Sequence, residues 1–146
     1  MTTATTATTM TEDGLVTVSL AIRFLHDVVL ARQRARQIAL QIGLEAQEQI
    51  RFATAVSELA RNAYQYAEGG RVQFVVERDG EQSVLVARLS DSGPGIGNLD
   101  QILQGRYRSR TGMGLGIVGA RRLADRFASE SVPGQGTRVS VGKLLP

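Results

Sequence analysis

The dipeptide Asp79-Gly80 lies between two apolar runs, RVQFVVER (71–78) and QSVLVARLS (82–90), and no other stretch constrains the fold as much. Asp-Gly readily supplies the positive-φ residues of a tight turn, so the two runs read as adjacent antiparallel strands. Alternation then sets their faces: Leu85, Ala87 and Leu89 share the core side, and Asp91 is next in that phase. The chain thus brings an acid to the inner side of a sheet just where the strand ends. Directly there, DSGPGIGNLD (91–100) gives up most of its side chains to glycine and proline. Either this is a surface turn that Asp91 caps, or the backbone must pass close to a ligand that Asp91 faces. Strand phase alone leaves both readings open.

The remaining segments fill in an α+β chain. GLVTVSLAI (14–22) predicts a first strand. A helix is expected over 24–42, with Leu25, Val28, Ala35, Ala39 and Ile42 on one stripe and Gly43 as its stop. A second helix, over 45–66, carries Phe52, Val56, Leu59, Ala63 and Tyr66 on one apolar face. After the hairpin come a short helical turn over 99–103 and a mobile loop, GRYRSRTGMGLG (105–116). A third helix over 117–127 would show Ile117, Ala120, Ala124 and Phe127 at helical spacing. SESV, the turn PGQG and TRVSVGKLL then form a closing hairpin. Helices mixed with mostly antiparallel strands predict one sheet with the helices on one face. At 146 residues the chain suits a single domain, spanning 13–146. The Thr/Ala-rich start, residues 1–12, has little to bury and is expected to be a disordered tail.

Composition excludes several chemistries. Cysteine is absent, which removes disulfides, thiol catalysis and cysteine-ligated metals. The net charge is +3, and Lys143 is the sole lysine among 17 basic residues. The arginines are spread along the chain and aromatics are only 5%, so no nucleic-acid surface is expected. No apolar stretch approaches the roughly 18 residues of a membrane span, and the first residues lack a secretory pattern; a cytoplasmic setting is expected. No G-x-x-x-x-G-K-[ST] occurs, so there is no P-loop. GLGIVG (114–119) matches G-x-G-x-x-G, but RYRSRTGM precedes it where a dinucleotide-binding unit needs an apolar strand. His26 has no partner motif and reads as a surface or packed histidine.

Three further groups carry chemistry. Glu58 and Asn62 are four apart on the second helix, on one face bordering the apolar stripe. An amide oxygen suits Mg²⁺, and a carboxylate one turn away could take a hydroxyl proton; an ordinary exposed pair is the alternative. Thr137 shares the inward phase of Val139 and Val141, so its hydroxyl and Asp91 could together read a polar ring edge such as adenine. Gly112, Gly114 and Gly116 free backbone N–H groups before a helix start, and Arg106, Arg108 and Arg110 lie just upstream, a plausible triphosphate cradle.

The order of these boxes is more specific than any one of them. Glu58-x-x-x-Asn62, Asp91-x-Gly93-x-Gly95, Gly112-x-Gly114-x-Gly116 and Gly136-Thr137 resemble the boxes of the GHKL (Bergerat-fold) ATPases. Within that superfamily, VSELARNAYQYA, DSGPGI, GLGIVGARRLADRF and SVPGQGT look most like the RsbT-type switch serine kinases and anti-sigma-factor kinases. The resemblance implies a two-layer α+β sandwich that binds ATP and Mg²⁺. It makes Asp91 the adenine anchor assisted by Thr137, with Gly93, Gly95 and Ile96 beside the nucleotide. It makes Asn62 the Mg²⁺ ligand and Glu58 the general base toward a substrate serine. The phosphates would meet Thr111, Gly112, Met113, Gly114, Leu115 and Gly116, and one of Arg106, Arg108 or Arg110. The implied substrate is a STAS-domain antagonist protein, with a PP2C-type phosphatase or a sigma factor as further partners. Two rival readings are the ATP-binding part of a histidine kinase and a nucleotide-gated module acting by contact, as an anti-sigma factor does.

Overall fold

The computed structural model describes residues 6–10, 16–67, 69–93 and 115–146. Its elements run β1 (Thr6–Met10), β2 (Val16–Ile22), α1 (Leu25–Gln41), α2 (Ala46–Ala67), β3 (Gly70–Asp79), β4 (Gln82–Ser90), α3 (Leu115–Leu123), β5 (Arg126–Val132) and β6 (Gly136–Leu144). The strands form one six-stranded sheet in the order β1-β2-β3-β4-β6-β5. Every neighbouring pair is antiparallel, so the expected mostly antiparallel sheet is wholly so among the described residues.

The Asp79-Gly80 turn sets the register as its sequence requires. Gly80 takes φ +65°, and the ladder pairs Asp79 with Gln82, Phe74 with Ala87 and Val72 with Leu89. Val72, Phe74, Leu85, Ala87, Leu89, Val139 and Val141 therefore form a buried inner face. Phe52, Val56 and Leu59 of α2 pack on it, with the Phe52 and Phe74 rings 6.2 Å apart and tilted by 60°. Each such side chain contributes about 1.5–3 kcal/mol on leaving water. Behind α2's flank, α1 buries Val28, Ala31, Ala35 and Ala39, and the three alanines are small enough to let the helices approach closely.

Three expectations are corrected. Leu25 is not on the buried stripe but 58% exposed. Asp27 is buried in that first turn, where its Oδ2 accepts hydrogen bonds from the Arg23 and Phe24 amides at 2.8 and 2.9 Å. Phe127 is not the last turn of a helix. α3 stops at Leu123 because Asp125 ties the chain into the sheet: its N–H donates to the Gly142 carbonyl and its Oδ2 accepts from the Leu144 amide, each at 2.9 Å. Phe127 then lies half-buried on β5 with the Arg121 guanidinium 5.9 Å from its ring centre. Lastly, Thr6–Met10 is an edge strand paired with Val16–Leu20 rather than part of an unpaired tail. Threonine favours strands, and the open edge of β2 offers backbone partners. The helical turn over 99–103 and most of the loop over 105–116 lie outside the described residues. Among the described residues, no helix is long and apolar enough to cross a membrane.

Candidate functional site

At the end of the sheet where β4 stops and β6 starts, four residues named from the sequence come together. The Asp91 amide donates to the Thr137 carbonyl at 3.0 Å. Its Oδ1 accepts from the Gly93 amide at 2.9 Å and from the Thr137 amide at 3.2 Å. Asp91 thus does cap the turn that follows it, but with one oxygen. Its Oδ2 has no hydrogen-bond partner among the described residues, so capping and ligand binding are compatible in a single carboxylate.

Glycines make this arrangement possible. Gly136 has φ +125°, and a Cβ there would collide with the Asp91 carbonyl oxygen. A Cβ on Gly93 would meet Ala67 at the end of α2, with its Cα 2.8 Å away. The last turn of α2, the start of the Gly93 turn and the start of β6 are thereby pressed around Asp91. Asp91, Gly136 and Thr137 line one depression with Ser90, Gln135 and Arg138. Thr137 is 8% exposed, and its hydroxyl lies 2.9 Å from that of Ser131 on β5. The sequence reading missed Ser131. It was legible only through hairpin register, because the three-residue turn after Val132 places Ser131 directly opposite Thr137.

The second cluster lies further back along α2. Glu58 is half-buried, and Arg61 approaches its Oε1 at 3.6 Å. A Cβ added to Gly116 would stand 3.2 Å from both the Glu58 carbonyl oxygen and Oε2, so α3 begins directly against Glu58. That places the carboxylate beside the positive end of a nine-residue helix. Asn62 is half-buried one turn on toward the Asp91 end. At 1.5 Å per residue, Glu58 and Ala67 are separated by roughly 13 Å along α2. The structure therefore orders the groups along one helix: Glu58 with α3, then Asn62, then the Ala67–Gly93–Asp91 end. The amide oxygen of Asn62 and the carboxylate of Glu58 are hard oxygen donors of the kind Mg²⁺ takes. Gly95, Ile96, Arg106, Arg108, Arg110, Thr111, Gly112, Met113 and Gly114 lie outside the described residues, and Leu115 is described in its backbone only.

The described parts of the site are a carboxylate with one oxygen unpartnered among the described residues at a strand end, and a mid-helix Glu/Asn pair whose glutamate meets the start of α3. Residues 47–146 match the family described as histidine kinase-, DNA gyrase B-, and HSP90-like ATPase, and the chain belongs to that family. Among curated proteins it is similar to the serine/threonine-protein kinase RsbT of Bacillus subtilis, 37% identical over 119 residues, which is 82% of this chain and 90% of that protein. It is also similar to the anti-sigma F factor of Clostridium beijerinckii, 33% identical over 97 residues, 62% of this chain and 66% of that one.

Proposed function

We propose that this chain is an ATP-dependent serine/threonine protein kinase that phosphorylates a STAS-domain antagonist in a bacterial partner-switching module. The observation that carries the reading is the divided use of Asp91. One oxygen is locked by two backbone amides, so the other is held in a fixed direction and keeps its acceptor capacity. An exocyclic amino group of adenine suits that acceptor. With the base at the Ala67 end of α2, the phosphates extend toward Asn62 and the start of α3. There, helix N–H groups and the dipole favour an anion. Asn62 would hold Mg²⁺, which neutralises phosphate charge when bound. Glu58 stands where it can orient the incoming serine hydroxyl and take its proton, the task left to the protein when phosphoryl transfer is mainly positioning.

A second reading, favoured by the likeness to the anti-sigma F factor, is regulation of a sigma factor by contact. A pure binder has no need of a carboxylate at position 58, so Glu58 separates the two. The test is incubation with labelled ATP and Mg²⁺ together with STAS-domain proteins of the same genome, followed by mapping of the label. Phosphoserine or phosphothreonine on a STAS protein that disappears with Glu58→Gln supports the kinase. Tight ATP binding with no transfer to any of them, and a stable complex with a sigma factor, would favour the contact reading.

A further inference from the structure

Large apolar side chains left in water are unevenly spread over the described residues. Of the six, four lie on α1 or at its cap: Phe24, Leu25, Val29 and Leu40, between 47% and 62% exposed. A scattered exposed apolar residue needs no explanation, but a group on one face does. At 3.6 residues per turn, Leu25, Val29, Arg32, Arg36 and Leu40 fall within roughly 80° of arc, on the solvent side of the buried row of Ala31, Ala35 and Ala39. The stripe they form is roughly 22 Å long. Its charge has one sign. Asp27, the only acid of α1, is buried and gives its Oδ2 to the Arg23 and Phe24 amides. Arg32 and Arg36 are exposed and have no ion pair among the described residues.

We infer that this face of α1 docks an amphipathic helix of a protein partner whose acids are interleaved with its apolar residues. Around the helix axis Arg36 falls between Leu25 and Val29, so the occupant must offer carboxylates and apolar groups within one narrow strip. A helix does so, because residues three and four apart share a face and can alternate in kind along it. A second copy of the chain is a poor occupant. Two-fold pairing of this face sets arginine against arginine, and the face has no acid to meet them. An anionic bilayer is a poor occupant too. A helix lying in the interface keeps its cations on the polar side of a wide apolar sector. Here the guanidinium groups stand among the apolar side chains and would be carried inward with them, at a cost. The inference is independent of the kinase reading, since a protein acting by contact needs such a surface as much as an enzyme does.

The test uses two synthetic helical peptides about 18 residues long, enough to span the stripe. Both carry a row of leucines, flanked by glutamate in one and by lysine in the other. Each is titrated by fluorescence anisotropy into the wild-type chain, Arg32→Glu/Arg36→Glu and Leu25→Ser/Val29→Ser/Leu40→Ser. The changed side chains are exposed, so melting temperatures should stay at the wild-type value. The wild type should bind the glutamate peptide about 10-fold more tightly than the lysine peptide, and Arg32→Glu/Arg36→Glu should invert that order, on the scale of two interfacial charge pairs. The triple serine variant should weaken the glutamate peptide by about 10- to 100-fold, the scale of lost apolar anchors. Amide shift changes on adding that peptide should centre on α1. Equal affinity for the two peptides, binding that neither variant alters, or shifts centred on Asp91 or Glu58 would overturn the docking face. Dimerisation of the wild type that the serine variant abolishes would overturn it in favour of a second copy. Cosedimentation with phosphatidylserine vesicles that Arg32→Glu/Arg36→Glu abolishes, without peptide selectivity, would overturn it in favour of a membrane surface.

Discussion

β6 places a polar residue in the core-facing phase at each of its ends, and the two ends treat that polarity in opposite ways. At the far end Lys143, 2% exposed, is closed in by the protein: its Nζ lies 2.6 Å from Glu48 Oε2 in the first turn of α2 and 3.7 Å from Asp125 Oδ1. At the near end Thr137 is almost as buried, yet the carboxylate beside it keeps one oxygen without a partner among the described residues. The same strand, the same side-chain phase and the same helix serve both ends. The difference lies in what consumes the polar valence. The far end uses all its charge on fastening α2 and the α3–β5 junction to the sheet. The near end uses backbone amides to hold an acceptor in place, at no cost in side-chain partners.

The contrast can be broken by substitution, and the largest effect is expected at Glu58. Glu58→Gln keeps the shape of the side chain and the approach of Gly116. It should leave ATP affinity nearly unchanged while phosphoryl transfer falls by about 10²- to 10⁴-fold, the range for loss of a positioned base. Single-turnover transfer from labelled ATP checks this. Asp91→Asn comes next. The amide oxygen can still accept from Gly93 and Thr137, so the melting temperature should hold, but the second atom becomes a donor. ATP affinity by calorimetry should fall about 10- to 100-fold, as for loss of a hydrogen bond to a charged group. A variant that melts several degrees lower would show that the near end, too, is structural.

Lys143→Ala should do the reverse, lowering stability by about 2–3 kcal/mol with ATP affinity of the folded fraction unchanged. Most of that loss is the buried stem. The stranded Glu48 and Asp125 are each at least a third exposed and can rehydrate, which keeps the loss below that of a fully buried pair. Denaturant titration measures it. Lys143→Met should cost under about 1 kcal/mol, since a flexible apolar chain of similar volume replaces both the stem and the desolvated charge. The smallest effect belongs to Arg61→Ala: its 3.6 Å pair with Glu58 is exposed on the arginine side, and stability should change by less than about 0.5 kcal/mol. A large loss of transfer in Arg61→Ala would instead assign that arginine to holding the Glu58 carboxylate.

Where the sequence was legible, a local rule had no competitor. The Asp-Gly turn fixed the β3–β4 register, and with it the inward phase of Asp91. The 3.6-residue period of Phe52, Val56, Leu59 and Ala63 marked the face of α2 that is in fact buried. Where it misled, a distant partner overrode a local pattern. Ala124 and Phe127 continue the helical spacing of α3, but Asp125 has backbone partners at Gly142 and Leu144 that only the folded sheet supplies. Leu25 fits the stripe of α1, but the capping carboxylate of Asp27 is the buried group in that turn.

The sequence by itself determined the class of fold, the one-sided helical layer and the chain order of Glu58, Asn62, Asp91 and Thr137. Each of these follows from a turn or a period of two or 3.6 residues, and such rules act over one or two turns of chain. Only the tertiary structure decided that Asp91 gives one oxygen to the Gly93 and Thr137 amides while the other has no partner among the described residues, that Gly116 lets α3 start on Glu58, and that Ser131 meets Thr137. These depend on how closely one backbone approaches another across the fold. That closeness is set by packing of the whole core, which no local period encodes.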